Sequence, residues 1–210
     1  MPILLALALL AAPHAKDPGR ALAQRVQRFY ASTRDFSARF AQHYSYLALG
    51  RVEDSEGTVQ VKKPGLVRWD YEKPDRRVIY LENRTLWIWR PDDQEAQVRE
   101  NFGGDQLSSA FTFLWGKGDL LREFAPRASA APLQGLPAGD VLELTPLKPI
   151  AGVSKLIFVV ARDGQVLATL VTNPQGDVNQ MVFSAAKVNQ GLADALFHFE
   201  PPKGAYVQKL

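Results

Sequence analysis

Apolar and polar residues alternate with two different periods along the chain, and the change of period separates a helix from a series of strands. Between Pro18 and Ser32, apolar residues recur every three or four positions and arginines occupy the other faces, which predicts a one-sided amphipathic helix. From Asp35 the period becomes two, so Phe36 and Phe40 lie on the same face of a predicted strand.

Short β-patterned segments then follow one another, separated by turn residues such as Pro64-Gly65 and Asn83-Arg84. The further predicted strands cover residues 58–63, 66–71, 77–81, 85–89, 97–99, 141–144, 153–161, 166–172, 178–185 and 195–199. Such spacing is typical of an antiparallel meander that curls into a barrel or a sandwich. A loop rich in Pro and Ala at 126–137 is the only candidate domain boundary, and strands on both sides of it could complete one sheet.

One internal segment departs from the β-pattern. Residues 105–115 place Leu107, Phe111 and Leu114 on one helical stripe, and Gly116 stands just past its end. The stripe is narrow, and glycines on both sides of the segment supply backbone freedom. This pattern predicts a helix that moves relative to the sheet.

The N-terminus has a run of ten uncharged apolar residues at 3–12. A bilayer-spanning helix needs about 20 such residues, whereas the core of a secretory signal is shorter. Small residues at 11, 12 and 15 provide cleavage sites, although no Lys or Arg precedes the run. We predict a signal peptide at 1–15 and a single exported domain at 16–210; the alternative is a short apolar element packed on that domain.

Composition excludes several kinds of chemistry. The chain has no cysteine, which excludes disulfides, thiolate metal sites and a cysteine nucleophile. Lys and Arg number 25 against 22 Asp and Glu, and this small excess is spread along the chain, so it indicates no nucleic-acid surface. The histidines, His14, His43 and His198, lack metal-ligand spacing, and no nucleophile elbow or phosphate loop occurs. We therefore expect no enzyme, metal or cofactor; a lipid-modifying enzyme using His43 is the weakest alternative.

Aromatic residues cluster in the predicted strands. Trp69 and Tyr71 form one pair two residues apart, and Trp87 and Trp89 form another, so each pair shares a sheet face. Residues 85–89 are apolar on both faces and must be covered on both. A curved sheet with a helix as cover can enclose an apolar cavity, and a cavity without catalytic groups indicates binding of an apolar ligand.

Several motifs resemble those of one family. They are FSARFAQ at 36–42, GTVQVKKPGLVRWDYEKP at 57–74, TLWIWRP at 85–91 and FHFEPPKG at 197–204. Together they resemble the periplasmic outer-membrane lipoprotein carrier (LolA) family, over nearly the whole chain after residue 15. The resemblance implies a mainly β (α+β) fold: an unclosed antiparallel β-barrel, or half-barrel, with a helical lid and an N-terminal helix.

The resemblance also implies a function. Family members shelter the acyl chains of lipoproteins in an apolar cavity, and they receive this cargo from an inner-membrane ABC-type transporter and deliver it to an outer-membrane receptor. We expect a monomeric, non-enzymatic periplasmic carrier that binds no nucleic acid. The alternative is an envelope sensor or scaffold that uses the same half-barrel to bind a protein partner or another lipid.

The expected cavity residues are mostly aromatic and large aliphatic side chains. They are Phe36, Phe40, Val67, Trp69, Tyr71, Trp87, Trp89, Leu107, Phe111 and Leu114. Leu86 and Ile88 are the alternative if the 85–89 strand presents its other face.

Two positions depart from the family's pattern. Lys63 stands where the family commonly has an Arg that holds the lid closed, and Asn83-Arg84 replaces the usual Asp-Gly turn. Lys63 is expected to contact the lid as a weaker latch, because an ammonium lacks the planar fork of a guanidinium.

Overall fold

The computed structural model describes residues 17–102 and 118–210. The predicted signal peptide at 1–15 and the predicted lid at 105–115, with Leu107, Phe111 and Leu114, lie outside the described residues. Expectations about those segments therefore stay predictions.

The described chain is mainly β. Its helices are α1 (Pro18–Ser32), the single turn α2 (Leu120–Glu123) and a 3₁₀ turn (Asp194–Phe197). Its strands are β1 (Asp35–Tyr46), β2 (Arg51–Lys62), β3 (Leu66–Lys73), β4 (Arg77–Glu82), β5 (Thr85–Arg90), β6 (Glu95–Arg99), β7 (Phe124–Ser129), β8 (Asp140–Pro146), β9 (Lys155–Val160), β10 (Val166–Thr172), β11 (Val178–Val188) and β12 (Tyr206–Lys209).

All these strands belong to one sheet, in the order β12-β6-β5-β4-β3-β2-β1-β11-β10-β9-β8-β7. Every neighbouring pair is antiparallel except β12 and β6, which run parallel. β1 pairs with both β2 and β11, so it joins the strands on the two sides of 103–117 into a continuous surface. Because β7 and β12 remain separate edges, the sheet is the unclosed half-barrel that the family resemblance implies.

Helix α1 covers one half of the sheet. The Asp17 carboxylate accepts hydrogen bonds from the amides of Gly19 and Arg20 and so caps the first turn. A side chain at Gly19 would stand 2.7 Å from the Cα of Arg127, so only glycine lets the helix approach β7 this closely. The buried face of α1 packs on strands β8 to β10 through Leu22, Ala23, Val26 and Tyr30.

The side chains on the covered face continue across the strands. Phe158 of β9 lies opposite Leu142 of β8 and opposite Thr169 of β10, and Thr169 lies opposite Met181 of β11. Directly paired residues share a sheet face. Phe183 follows two positions after Met181 and pairs with Phe40 of β1, so the same face continues to β1. We call this the inner face, and the opposite side the outer face.

Two predicted elements differ in the structure. Residues 126–129 were expected in a loop but belong to β7, where Pro126 is tolerated because β7 is an edge strand. Residues 195–199 were expected as a strand; instead, the 3₁₀ turn is followed by an extended segment, and the chain's last strand is β12.

No helix in the described ranges is long and apolar enough to cross a bilayer.

Candidate functional site

The half of the inner face that α1 leaves free has a floor of buried aromatic side chains. Phe36 and Phe40 project from β1 and are 7% and 2% exposed. Phe36 meets Phe183 edge-on, with ring centroids 6.3 Å apart. Phe40 meets Trp69 at 5.3 Å and Tyr71 at 5.0 Å, also edge-on. These contacts bring together residues that are up to 147 positions apart in the sequence.

Above this floor lies a half-buried layer. Trp69 and Tyr71 stack with an interplanar angle of 13° and centroids 6.2 Å apart. Leu86 and Met181 pack against the same cluster and are also partly exposed. These side chains leave part of their apolar surface accessible, as the lining of a site for an apolar ligand does. The sequence analysis placed Phe36, Phe40, Val67, Trp69 and Tyr71 together, and the structure brings these five into one cluster.

Met181 and Phe183 belong to this cluster although the sequence analysis did not select them. Their strand, β11, was predicted, but only its pairing with β1 shows that they reach the same face as Phe40. Alternation in one strand identifies two faces without telling which of them is the inner face of the sheet.

Trp87 and Trp89 do not share this face, so their assignment to the cavity is wrong. β4 lies between β3 and β5, and Trp87 pairs with Tyr80 on the outer side. The rings of both tryptophans contact Phe199, with centroids 5.5 and 5.7 Å apart. The alternative side of β5 faces inward, because Leu86 pairs with Leu81, which in turn pairs with Val67.

The outer face has its own cover. Phe199 stacks on Tyr80 with centroids 4.9 Å apart, and the segment that carries it follows the 3₁₀ turn. Arg68 forms an ion pair with Asp70, with 2.8 Å between Nε and Oδ2, and its guanidinium also donates to the carbonyl oxygen of Leu196 at 3.4 Å. The aromatic pair of β5 therefore holds the C-terminal segment in place and leaves the inner side of β5 to Leu86 and Ile88.

Lys63 contacts α1. Its ammonium donates a hydrogen bond to the carbonyl oxygen of Tyr30, in the last turn of the helix. Partial burial lowers the pKa of Lys63. The contact expected between Lys63 and the 105–115 segment lies outside the described residues.

Comparison with known proteins identifies this architecture. The sequence profile described as "Outer membrane lipoprotein carrier protein LolA" matches residues 31–200. The chain belongs to the LolA family. An outer-membrane lipoprotein carrier protein of Chromobacterium violaceum is 30% identical over 207 residues, which cover 98% of this chain and 96% of the relative. The corresponding protein of Dechloromonas aromatica is 29% identical over 180 residues, covering 85% and 83%.

A solved structure shows the same fold at much lower identity. An uncharacterized conserved protein from Thermus thermophilus superposes with a TM-score of 0.58 at 13% identity, covering 91% of this chain and 98% of the other. The LolA family is one of carriers and not of enzymes. This agrees with the expectation that the protein is a non-enzymatic carrier.

The two histidines that the structure describes in this LolA-family chain, His43 and His198, lie away from the aromatic floor. His43, the candidate for lipid-modifying chemistry, pairs with Asp54 at 2.7 Å on the outer side of β1 and β2. His198 contacts Glu82 at 2.9 Å, and this carboxylate raises the pKa of the exposed imidazole. Among the residues described, no group of three His, Asp or Glu side chains could hold a metal ion.

Proposed function

We propose that this protein is a periplasmic carrier that shelters the acyl chains of lipoproteins on its inner face and moves them from the inner to the outer membrane. The observation that carries the proposal is the half-buried layer of Trp69, Tyr71, Leu86 and Met181 over the buried floor of Phe36 and Phe40. Family membership supports the same role.

The energetics fit reversible transport. Acyl chains gain about 0.8 kcal/mol for each CH₂ group removed from water, so a chain crossing an aqueous compartment needs an apolar shelter. Contacts with partly exposed side chains recover only part of this energy, so the cargo can leave again. Transfer of this kind makes and breaks no covalent bond, and the proposal requires no catalytic residue.

The proposal includes the steps before and after transport. Residues 1–15 would direct export, an inner-membrane ABC-type transporter would load the carrier, and an outer-membrane receptor would unload it. The segment 105–115 would serve as the lid, with Leu107, Phe111 and Leu114 toward the acyl chains, and Lys63 would hold it closed.

A transfer experiment tests the proposal. The purified protein is incubated with proteoliposomes that contain an acylated lipoprotein and a lipoprotein-releasing transporter, and the membranes are then removed by centrifugation. We expect the lipoprotein to appear in the supernatant as an equimolar complex, whereas its non-acylated form makes no complex. Binding of the non-acylated form with equal affinity would instead support the scaffold alternative.

A further inference from the structure

A polar groove continues the inner face beyond the aromatic floor, toward the β1–β2 hairpin. It encloses about 370 Å³. Its lining comes from β2, from the end of β3 and from the turn into β4, and it includes Arg51, Glu53, Tyr71, Asp75 and Arg77. Tyr71 belongs both to this groove and to the half-buried layer above Phe40, so the polar groove begins where the apolar surface ends.

Tyr71 and Arg77 form the boundary between the two surfaces. They are paired residues on β3 and β4, and the guanidinium carbon of Arg77 lies 4.0 Å from the centroid of the Tyr71 ring. The same ring also contacts Phe40, with centroids 5.0 Å apart, and Trp69, with centroids 6.2 Å apart. A positive charge is therefore held one aromatic ring away from the apolar floor.

Arg77 has no carboxylate partner within the described part of the chain. Across the groove, Arg51 forms an ion pair with Glu53, and Arg76, next in the chain, pairs with Asp92 at 3.4 Å. No carboxylate of the described residues lies within 4 Å of Arg77, and Asp75, in the same groove, does not come that close. The guanidinium therefore lies against the side chain of Tyr71 and lines the groove with no carboxylate of the described chain to neutralise its charge.

We propose that Arg77, positioned by Tyr71, binds an anionic oxygen group at the polar end of the acylated ligand, while the acyl chains lie on the aromatic floor. This inference rests on the proposed function. A guanidinium presents a planar fork of donors that matches carboxylate and phosphate oxygens. The group is a carboxylate near the acylated end of a lipoprotein or the phosphate of a phospholipid.

The test uses short-chain ligands that share the same diacylglyceryl group and are soluble as monomers. Two carry an anion: dioctanoylphosphatidylglycerol, and a dioctanoylglyceryl-cysteine peptide with Asp at its second position. Two are uncharged counterparts: dioctanoylglycerol, and the same peptide with Asn. Affinities are measured by calorimetry for the wild type, Arg77→Gln, Arg77→Lys and the matched control Arg76→Gln, after thermal unfolding has shown each variant to be folded.

We expect Arg77→Gln to weaken binding of at least one anionic ligand about fivefold, as suits an exposed charge pair, and to leave the uncharged ligands unaffected. Arg77→Lys should recover part of the affinity, and Arg76→Gln should match the wild type. Loss confined to the phospholipid identifies phosphate, and loss confined to the Asp peptide identifies carboxylate. If Arg77→Gln matches Arg76→Gln on all four ligands, the inference is overturned while the proposed function stands. If the wild type binds none of them, both are overturned.

Discussion

The ammonium of Lys63 donates a hydrogen bond to the carbonyl oxygen of Tyr30 and so ties the β2–β3 connection to the end of α1. The preceding residue, Lys62, reaches the other side of the sheet, where its ammonium donates to the carbonyl oxygen of Leu192 at 2.6 Å and pairs with Asp194. Two consecutive lysines therefore hold elements on opposite faces.

Substituting these lysines separately should loosen different parts of the protein. Lys63→Met leaves the end of α1 without this donor, so we expect a loss of about 1 kcal/mol in the free energy of unfolding and faster amide exchange at Thr33, which donates to the same carbonyl. Lys62→Met should instead speed exchange in the 3₁₀ turn (Asp194–Phe197). Hydrogen exchange followed by mass spectrometry measures both.

Lys63→Arg is the control, because it keeps a donor and should restore protection at Thr33. If Lys63→Met and Lys62→Met speed exchange in the same segment, the two lysines do not act on separate faces.

The limits of sequence reasoning are clearest at residues 85–89. A strand that is apolar on both faces carries no alternation to orient it, and the sequence analysis chose the tryptophan face as the lining. The deciding contact is the one with Phe199, which approaches from more than one hundred positions away. Helix α1, by contrast, was predicted with its observed bounds because the apolar period that indicates it is local.

The opposite directions of Leu86 and Trp87 allow a test with two consecutive residues. Leu86→Asn removes apolar surface from the proposed site, so we expect about fivefold weaker binding of a fluorescent fatty-acid probe, part of the full burial energy of a leucine. Trp87→Leu changes the outer face and should leave the affinity for the probe unchanged while lowering the melting temperature. Equal losses of affinity in the two variants would contradict the assignment of faces.

The floor and the half-buried layer should respond differently to substitution. Phe40 is 2% exposed, and Phe40→Ala should cost about 3–5 kcal/mol of unfolding free energy, as for other buried Phe residues. Trp69→Leu, in the half-buried layer, should cost less stability and weaken probe binding more. Denaturant titrations and probe titrations on both variants give the comparison; a larger stability loss for Trp69→Leu would show that the layer belongs to the core.

Polar features were the hardest to predict. The contact between Arg77 and Tyr71 depends on the register of β3 against β4, which the sequence does not specify. In the sequence, Arg77 is a charged residue beside a turn, and such a residue ordinarily indicates solvent exposure. The edge strand β12 was not among the predicted strands, because its four residues are all exposed and its pairing with β6 is non-local.

Tyr30 links α1 to the sheet through a buried hydroxyl. Its oxygen accepts a hydrogen bond from the amide of Val166 at 3.2 Å, and the residue is 2% exposed. Burial raises the pKa of Tyr30 well above its ordinary value near 10, because the phenolate would lose its hydration. The folded protein therefore keeps this proton at a pH where the unfolded chain has lost it.

The sign of the pH effect follows from this difference. Below pH 10 both states hold the proton and stability does not depend on this group; above about pH 10 only the unfolded state releases it, so stability falls by up to about 1.4 kcal/mol per pH unit. In Tyr30→Phe this contribution disappears. We expect the variant to be about 1 kcal/mol less stable than the wild type at pH 8, because the amide of Val166 loses its acceptor, and to approach the wild type near pH 11.

Urea denaturation at pH 8, 9, 10 and 11 measures the two curves. Tyr206→Phe, at a side chain that is 66% exposed, is the matched control and should follow the wild type throughout. Burial also raises the pKa of Tyr71, so some alkaline loss of stability should persist in Tyr30→Phe. Parallel curves for the wild type and Tyr30→Phe between pH 9 and 11 would mean that the hydroxyl of Tyr30 ionises equally easily in both states, which its buried position beside Val166 does not allow.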